Sequence, residues 1–139
     1  MSNANRRSVT VERTTLGQYR ITNPRGGTVT LRTEDSDFTA VELLLGAIGG
    51  CTLIDVDHLC SRRAEPTTLS VEVTADKASD DSGNHLENVT VTFRAQFPPG
   101  DDGDAARRVL PDIVRRSHDR LCTVSRTIEH ATPVETVIH

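Results

Sequence analysis

Three cysteines, Cys51, Cys60 and Cys122, carry most of the chemistry open to this 139-residue chain. A cysteine thiolate can attack an electrophile, bind a soft metal ion or close a disulfide. Cys51 and Cys60 stand nine positions apart in a stretch that reads as one helix, which separates them by about 13.5 Å along the axis and puts them on opposite faces. They cannot bridge each other, because a disulfide needs Cα atoms about 4.4–6.8 Å apart. Only Cys122 can partner either one. Cys51 follows GAIGG (46–50) in the apolar part of the helix, whereas Cys60 sits in the polar turn HLCSRR, so a functional pair would be Cys51 with Cys122. Two other readings stay open. In one, all three are small buried hydrophobes, the commoner fate of a free cysteine. Alternatively His118 and Cys122, four positions apart on one helical face, join Cys51 around a metal ion.

Further titratable groups lie near these thiols. Asp55 follows Cys51 by one helical turn on the same face, where its carboxylate would raise the thiol pKa unless it holds an arginine in place. The stretch DVDH (55–58) reads as a hydrated or ion-paired helix end, and Arg62 and Arg63 as favourable partners for a helix C-terminus. His85, His130 and His139 form no constellation.

The glycines before Cys51 need a reason, since each costs a helix about 1 kcal/mol. Their setting is a segment with Thr39 as N-cap and Glu42 completing a capping box, running from Ala40 to about Arg63. It is apolar nearly all round as far as Val56, the mark of a buried helix. Burying it in so small a chain calls for a second subunit as well as its own sheet. Gly46, Gly49 and Gly50 are then places where another backbone comes close.

Other elements frame that helix. VTVERT, QYRIT and TVTLRT, with a turn at NPRGG (23–27), predict a three-stranded meander, and EDSDF (34–38) a polar connection. Alternating residues over 68–78 and 87–97, around the loop SDDSGNH, predict a long hairpin. PPGDDGD (98–104) is a second loop. Asp104 is the expected N-cap of an amphipathic helix carrying Ala106, Val109, Leu110, Ile113, Val114, Ser117 and Leu121, which Pro111 kinks or divides. TVSRTIEHATPVETVIH (123–139) predicts two short strands. No repeat or linker interrupts the chain, so 1–139 is expected to be one domain, with residues 1–7 disordered or in part left by an expression vector.

Composition narrows the partners. With three Phe, one Tyr and no Trp, there is little to stack on nucleic-acid bases, and a net charge of −4 disfavours DNA or an anionic membrane surface. The longest apolar stretch, 40–56, is interrupted by Glu42 and Asp55 and reads as too short to span a bilayer, and no signal peptide is evident. A cytoplasmic protein is expected, whose thiols form no disulfide scaffold.

TAVELLLGAIGGCTLIDVDHLCSRRAEP, then a hairpin, then SHDRLCTVSRTI, resembles the osmotically inducible protein C and organic hydroperoxide resistance (OsmC/Ohr) family, in its OsmC-like branch. The resemblance runs from about residue 8 to the C-terminus and is most specific in ELLLGAIGGC and RLCTVS. It implies an α+β, OsmC-like fold: an intertwined homodimer with curved antiparallel sheets around a long central helix, its sites at the dimer interface and the glycines letting the central helices approach. It further implies a thiol-dependent peroxidase that serves in oxidative stress defence. Cys51 would be oxidised to a sulfenic acid by an organic hydroperoxide, Cys122 would condense with it to a disulfide, and a dithiol would reduce the pair, with no metal or organic cofactor. The family's arginine from the early strands corresponds best to Arg20, with Arg13 on the other side of the turn TTLG; Arg120 and Arg126 are alternatives beside Cys122. Val41 occupies the place of the family's glutamate, and Glu42, one residue later, is the candidate for its role. A second function compatible with the fold is a noncatalytic binder or sensor of a small apolar or electrophilic ligand.

Overall fold

Val11, Ile21 and Val29, set among threonines and other polar residues, draw the start of the chain into short strands. A computed structural model describes residues 4–33 and 37–139; residues 1–3 of the expected disordered segment and residues 34–36 of the expected polar connection lie outside the described residues. The chain divides into two units, one ending at Leu44 and the other running from Leu45 to His139.

In the first unit the expected meander is present: β1 (Thr10–Thr15), β2 (Gln18–Thr22) and β3 (Thr28–Arg32) form an antiparallel sheet in the order β1-β2-β3. The β2–β3 turn is held by Asn23, whose Oδ1 accepts the N–H groups of Arg25 and Gly27, both at 2.9 Å. Helix α1 (Ala40–Cys60) begins here. The capping box is formed: the Glu42 N–H donates to Thr39 Oγ1 at 3.2 Å, and the Thr39 N–H to Glu42 Oε1 at 2.9 Å. These bonds lower the Glu42 pKa by stabilising its carboxylate.

In the second unit α1 continues against a long hairpin of β4 (Thr68–Asp80) and β5 (Gly83–Gln96). The hairpin is longer than expected, closing through Asp81 and Ser82, with the Ser82 N–H bonded to Asp80 Oδ1 at 2.8 Å. Between Thr74 and Asp76 the register slips; opposite, Asn88 takes a φ of 55° and donates to Asp76 Oδ2 at 2.9 Å. Such a bulge bends the hairpin. Ile48, Gly49, Thr52, Val56 and Cys60 form one buried strip on α1. Gly49 is where α1 and β4 meet most closely, since a Cβ there would stand 2.7 Å from a Val73 methyl and 3.0 Å from one of Val71. Gly46 and Gly50 face nothing within 4 Å. Thus the approach at Gly49 is to the chain's own sheet, and through valine side chains rather than another backbone.

The core of this unit joins Val56, Cys60, Phe97, Ala106 and Ile113. Helix α2 (Asp101–Arg116) starts four residues before the expected position, with Gly100 rather than Asp104 as N-cap. Gly100 enters with a φ of 115°, open to glycine, and the acidic residues at 101, 102 and 104 suit the positive end of the helix dipole. Pro111 does not divide α2, which continues to Arg116; the break comes at a π-helical turn, Ser117–Leu121. The two strands expected after it are absent among the described residues. Instead α3 (Thr123–Glu129) follows, and 131–139 makes no ladder. β-Branched residues favour a strand only where an edge is offered to them, and Val134 and Ile138 are each 91% exposed.

Helix α1 also corrects the bilayer estimate. Its 21 residues are long and apolar enough, by length and composition, to cross a membrane; the earlier limit at Val56 left out its last turn. One strip of it packs on β4 and is joined to Ser117, which donates to Asp55 and accepts from Thr52.

Candidate active site

The middle of α1 and the turn after α2 bring Cys51 and Cys122 side by side, both reduced. Cys51 is partly exposed and Cys122 fully buried. Cys122 caps α3 from an extended conformation, φ −74° and ψ 97°, and its thiol donates to Ser125 Oγ at 3.3 Å. Burial pushes the Cys51 thiol up; the backbone N–H of Val124 opposes this, while Cys122 and the Asp55 carboxylate add to it. Asp55 thus acts on Cys51 in the direction its position one turn away implies. None of these neighbours is a cation. Cys60 stands apart in the core, its thiol also pushed up by burial.

The π turn decides which side chain meets Cys51. The Cys122 N–H reaches back five residues to the Ser117 carbonyl at 2.8 Å, the bond that defines a π turn. Ser117 and Cys122 are consequently both fully buried, whereas Leu121, expected on the apolar face, is 44% exposed. Ser117 Oγ donates to Asp55 Oδ2 at 2.8 Å. With its one proton so engaged, it accepts from Thr52 Oγ1, also at 2.8 Å. Thr52 and Asp55 lie three positions apart on α1, so one helical face holds both ends of this chain.

Beside it is a cavity of about 310 Å³, walled by Ile48, Val91, Phe93, Val114 and Ile128, with Thr52, His118, Ser125 and Glu129 as its polar members. His118 is clamped: Nδ1 is 2.9 Å from Asp119 Oδ1 and Nε2 2.7 Å from Glu129 Oε1. Both carboxylates hold its pKa above the ordinary value by favouring the imidazolium. His118 therefore faces carboxylates rather than sharing a metal with Cys122. Among the described residues, no group of three or more His, Cys, Asp or Glu side chains is placed to hold a metal ion.

The other expected site residues are placed by their own elements. Arg20 is exposed on β2, and Glu42 serves the α1 cap. Arg13 is exposed on β1, Arg120 is exposed in the π turn, and Arg126 Nη2 is 2.8 Å from His130 Nε2. Sequence reasoning missed Thr52, Ser117 and Ser125. A serine on the apolar face of an amphipathic helix was the available signal, since a buried hydroxyl requires a partner.

The OsmC-like protein family model matches residues 33–137 of this chain. No curated protein matches. Among solved structures, an OsmC-like protein of unknown function from Vibrio cholerae is similar at a TM-score of 0.75 and 10% identity, over 93% of this chain and 95% of that one. An OsmC-like protein from Mycoplasma pneumoniae reaches 0.70 at 14% identity, over 91% and 89%. An organic hydroperoxide resistance protein from Bacillus subtilis reaches 0.55 at 15% identity, over 88% and 90%. At these identities the likeness establishes the fold, an α+β arrangement of antiparallel sheets and helices.

Proposed function

Because this chain belongs to the OsmC-like protein family, we propose that it is a thiol-dependent peroxidase that reduces organic hydroperoxides. The observation that carries this reading is the contact between Cys51, which peroxide can reach, and the buried Cys122. The Cys51 thiolate attacks the distal peroxide oxygen. An S–O bond forms as the O–O bond breaks, and the alkoxide leaves with a proton as the alcohol. Cys122 then attacks the sulfenic sulfur; an S–S bond forms, and hydroxide departs as water after taking a proton. A dithiol donor reduces the disulfide by exchange, becoming oxidised itself. The apolar walls of the neighbouring cavity suit a hydroperoxide with a hydrocarbon body.

A thiolate held among these neighbours needs a cation. Following the family pattern, Arg20 is proposed for that role and Glu42 as its anchor. A homodimer belongs to the same reading, supported by apolar surface left uncovered in the single chain, including Ile54 of α1 at 59% exposure and the tail residues Val134, Val137 and Ile138. A cytoplasmic setting belongs to the same reading, as expected for a chain whose three cysteines form no disulfide scaffold.

One observation favours a second reading. Among the described residues, the groups that shift the Cys51 thiol include no cation, and burial, Cys122 and Asp55 together push its pKa up, as suits a noncatalytic binder of an apolar or electrophilic ligand. Free-thiol titration before and after one equivalent of cumene hydroperoxide separates the two. The peroxidase loses two thiols per chain and the Cys51→Ser variant none by this route; an unchanged thiol count in the wild type rejects the peroxidase and supports the binder.

A further inference from the structure

A partly buried hydrogen-bond chain for which the peroxide chemistry has no direct use joins the helix of Cys51 to the turn that ends at Cys122. Ser117, at the first position of the π turn, is tied through Oγ to Asp55 and Thr52 on α1, while its carbonyl holds the Cys122 N–H. Thr52 is the residue after Cys51, and Asp55 lies one turn beyond it. Three hydrogen bonds thus connect the helix bearing one thiol to the residue bearing the other. The connection matters because the chain after Arg116 has an alternative. A continued α-helix would bring Leu121 round to the face of Ser117 and leave Cys122 about 140° away from it. The π turn admits one more residue per hydrogen-bonded ring, so Cys122 takes the buried place and Leu121 turns outward.

We propose that Ser117 and Asp55 are positioning residues for Cys122, their hydrogen bond selecting the π turn and so aiming Cys122, not Leu121, at Cys51. The inference rests on the two-thiol reading of the site, but its test uses no peroxide. The reduced protein is equilibrated with glutathione disulfide, which forms the Cys51–Cys122 bond and releases two molecules of glutathione, and the species are counted by mass spectrometry. Ser117→Ala is expected to lower the equilibrium constant for the internal disulfide by about tenfold or more, because small displacements of a reacting group lose much of its effective concentration. Cys51 should then accumulate as the mixed disulfide with glutathione. Ser117→Thr, which keeps the hydroxyl, should recover most of the loss. Asp55→Ala should lower it in the same direction, and the double variant should be no worse than Ser117→Ala alone, since that change already removes the Ser117–Asp55 bond.

A purely structural serine would lower the melting temperature without moving this equilibrium in the folded protein. Folded Ser117→Ala with an unchanged constant would overturn the proposal. If that variant does not fold, Asp55→Ala, at a partly exposed position, decides by the same criterion. Wild-type protein that forms the disulfide with glutathione yet loses no thiols to cumene hydroperoxide would sink the peroxidase reading and leave the positioning role standing.

Discussion

Replacing Gly49 by alanine should weaken the fold, although alanine is the better helix former. The glycine penalty in a helix interior is about 1 kcal/mol, and Gly49→Ala removes it. Against that gain stands contact geometry: the new Cβ would lie 2.7 Å from Val73 Cγ2 and 3.0 Å from Val71 Cγ2. Ordinary carbon contacts begin at about 3.5 Å, so the valines or the helix must move by most of an ångström. Both valines are β-branched, sit in a paired strand and have few rotamers to retreat into. Overpacking of this kind costs about 1–3 kcal/mol, leaving a net loss of up to about 2 kcal/mol after the propensity gain. Gly50→Ala is the control, because its Cβ meets nothing within 4 Å in the single chain; it should stabilise by up to about 1 kcal/mol. Urea unfolding followed by far-UV circular dichroism measures both at one protein concentration. Gly49→Ala as stable as Gly50→Ala would refute the claim that β4 requires this glycine.

Two further outcomes are expected. Cys60→Ser should cost about 1–3 kcal/mol in urea unfolding, by placing an unpaired hydroxyl in a fully buried position, while cumene hydroperoxide still removes two thiols per chain; a smaller thiol loss would bring Cys60 into the chemistry. Glu129→Gln should lower the His118 pKa measured by NMR, and an unchanged titration would show that the Glu129 contact contributes nothing. The sign of the stability effect follows from His118 being raised in the folded state: its contribution is complete below its ordinary value of 6.5 and is lost as pH rises through the higher folded value. Wild type should therefore exceed Glu129→Gln most at the acid end of that window, with the gap closing at the alkaline end.

Much of this architecture is written in short-range patterns. Alternation marked the meander and the hairpin, and Thr39 with Glu42 marked the start of α1, because those features depend on neighbours a few residues away. The motifs around Cys51 and Cys122 carried the family. The start of α2 was less legible, since a glycine with positive φ at position 100 outranked the better side-chain cap at Asp104. The last segment misled, because its β-branched residues follow propensity only when an edge strand receives them. Most of all, helical periodicity alone pointed Leu121 inward with Ser117. The one-residue shift that buries Cys122 instead coincides with hydrogen bonds from Ser117 to Asp55 and Thr52, 62 and 65 positions away. A sequence determines by itself the elements whose energies are local. Which face of the last turn meets Cys51 depends on pairing a buried hydroxyl across the fold, and only the tertiary structure decides that.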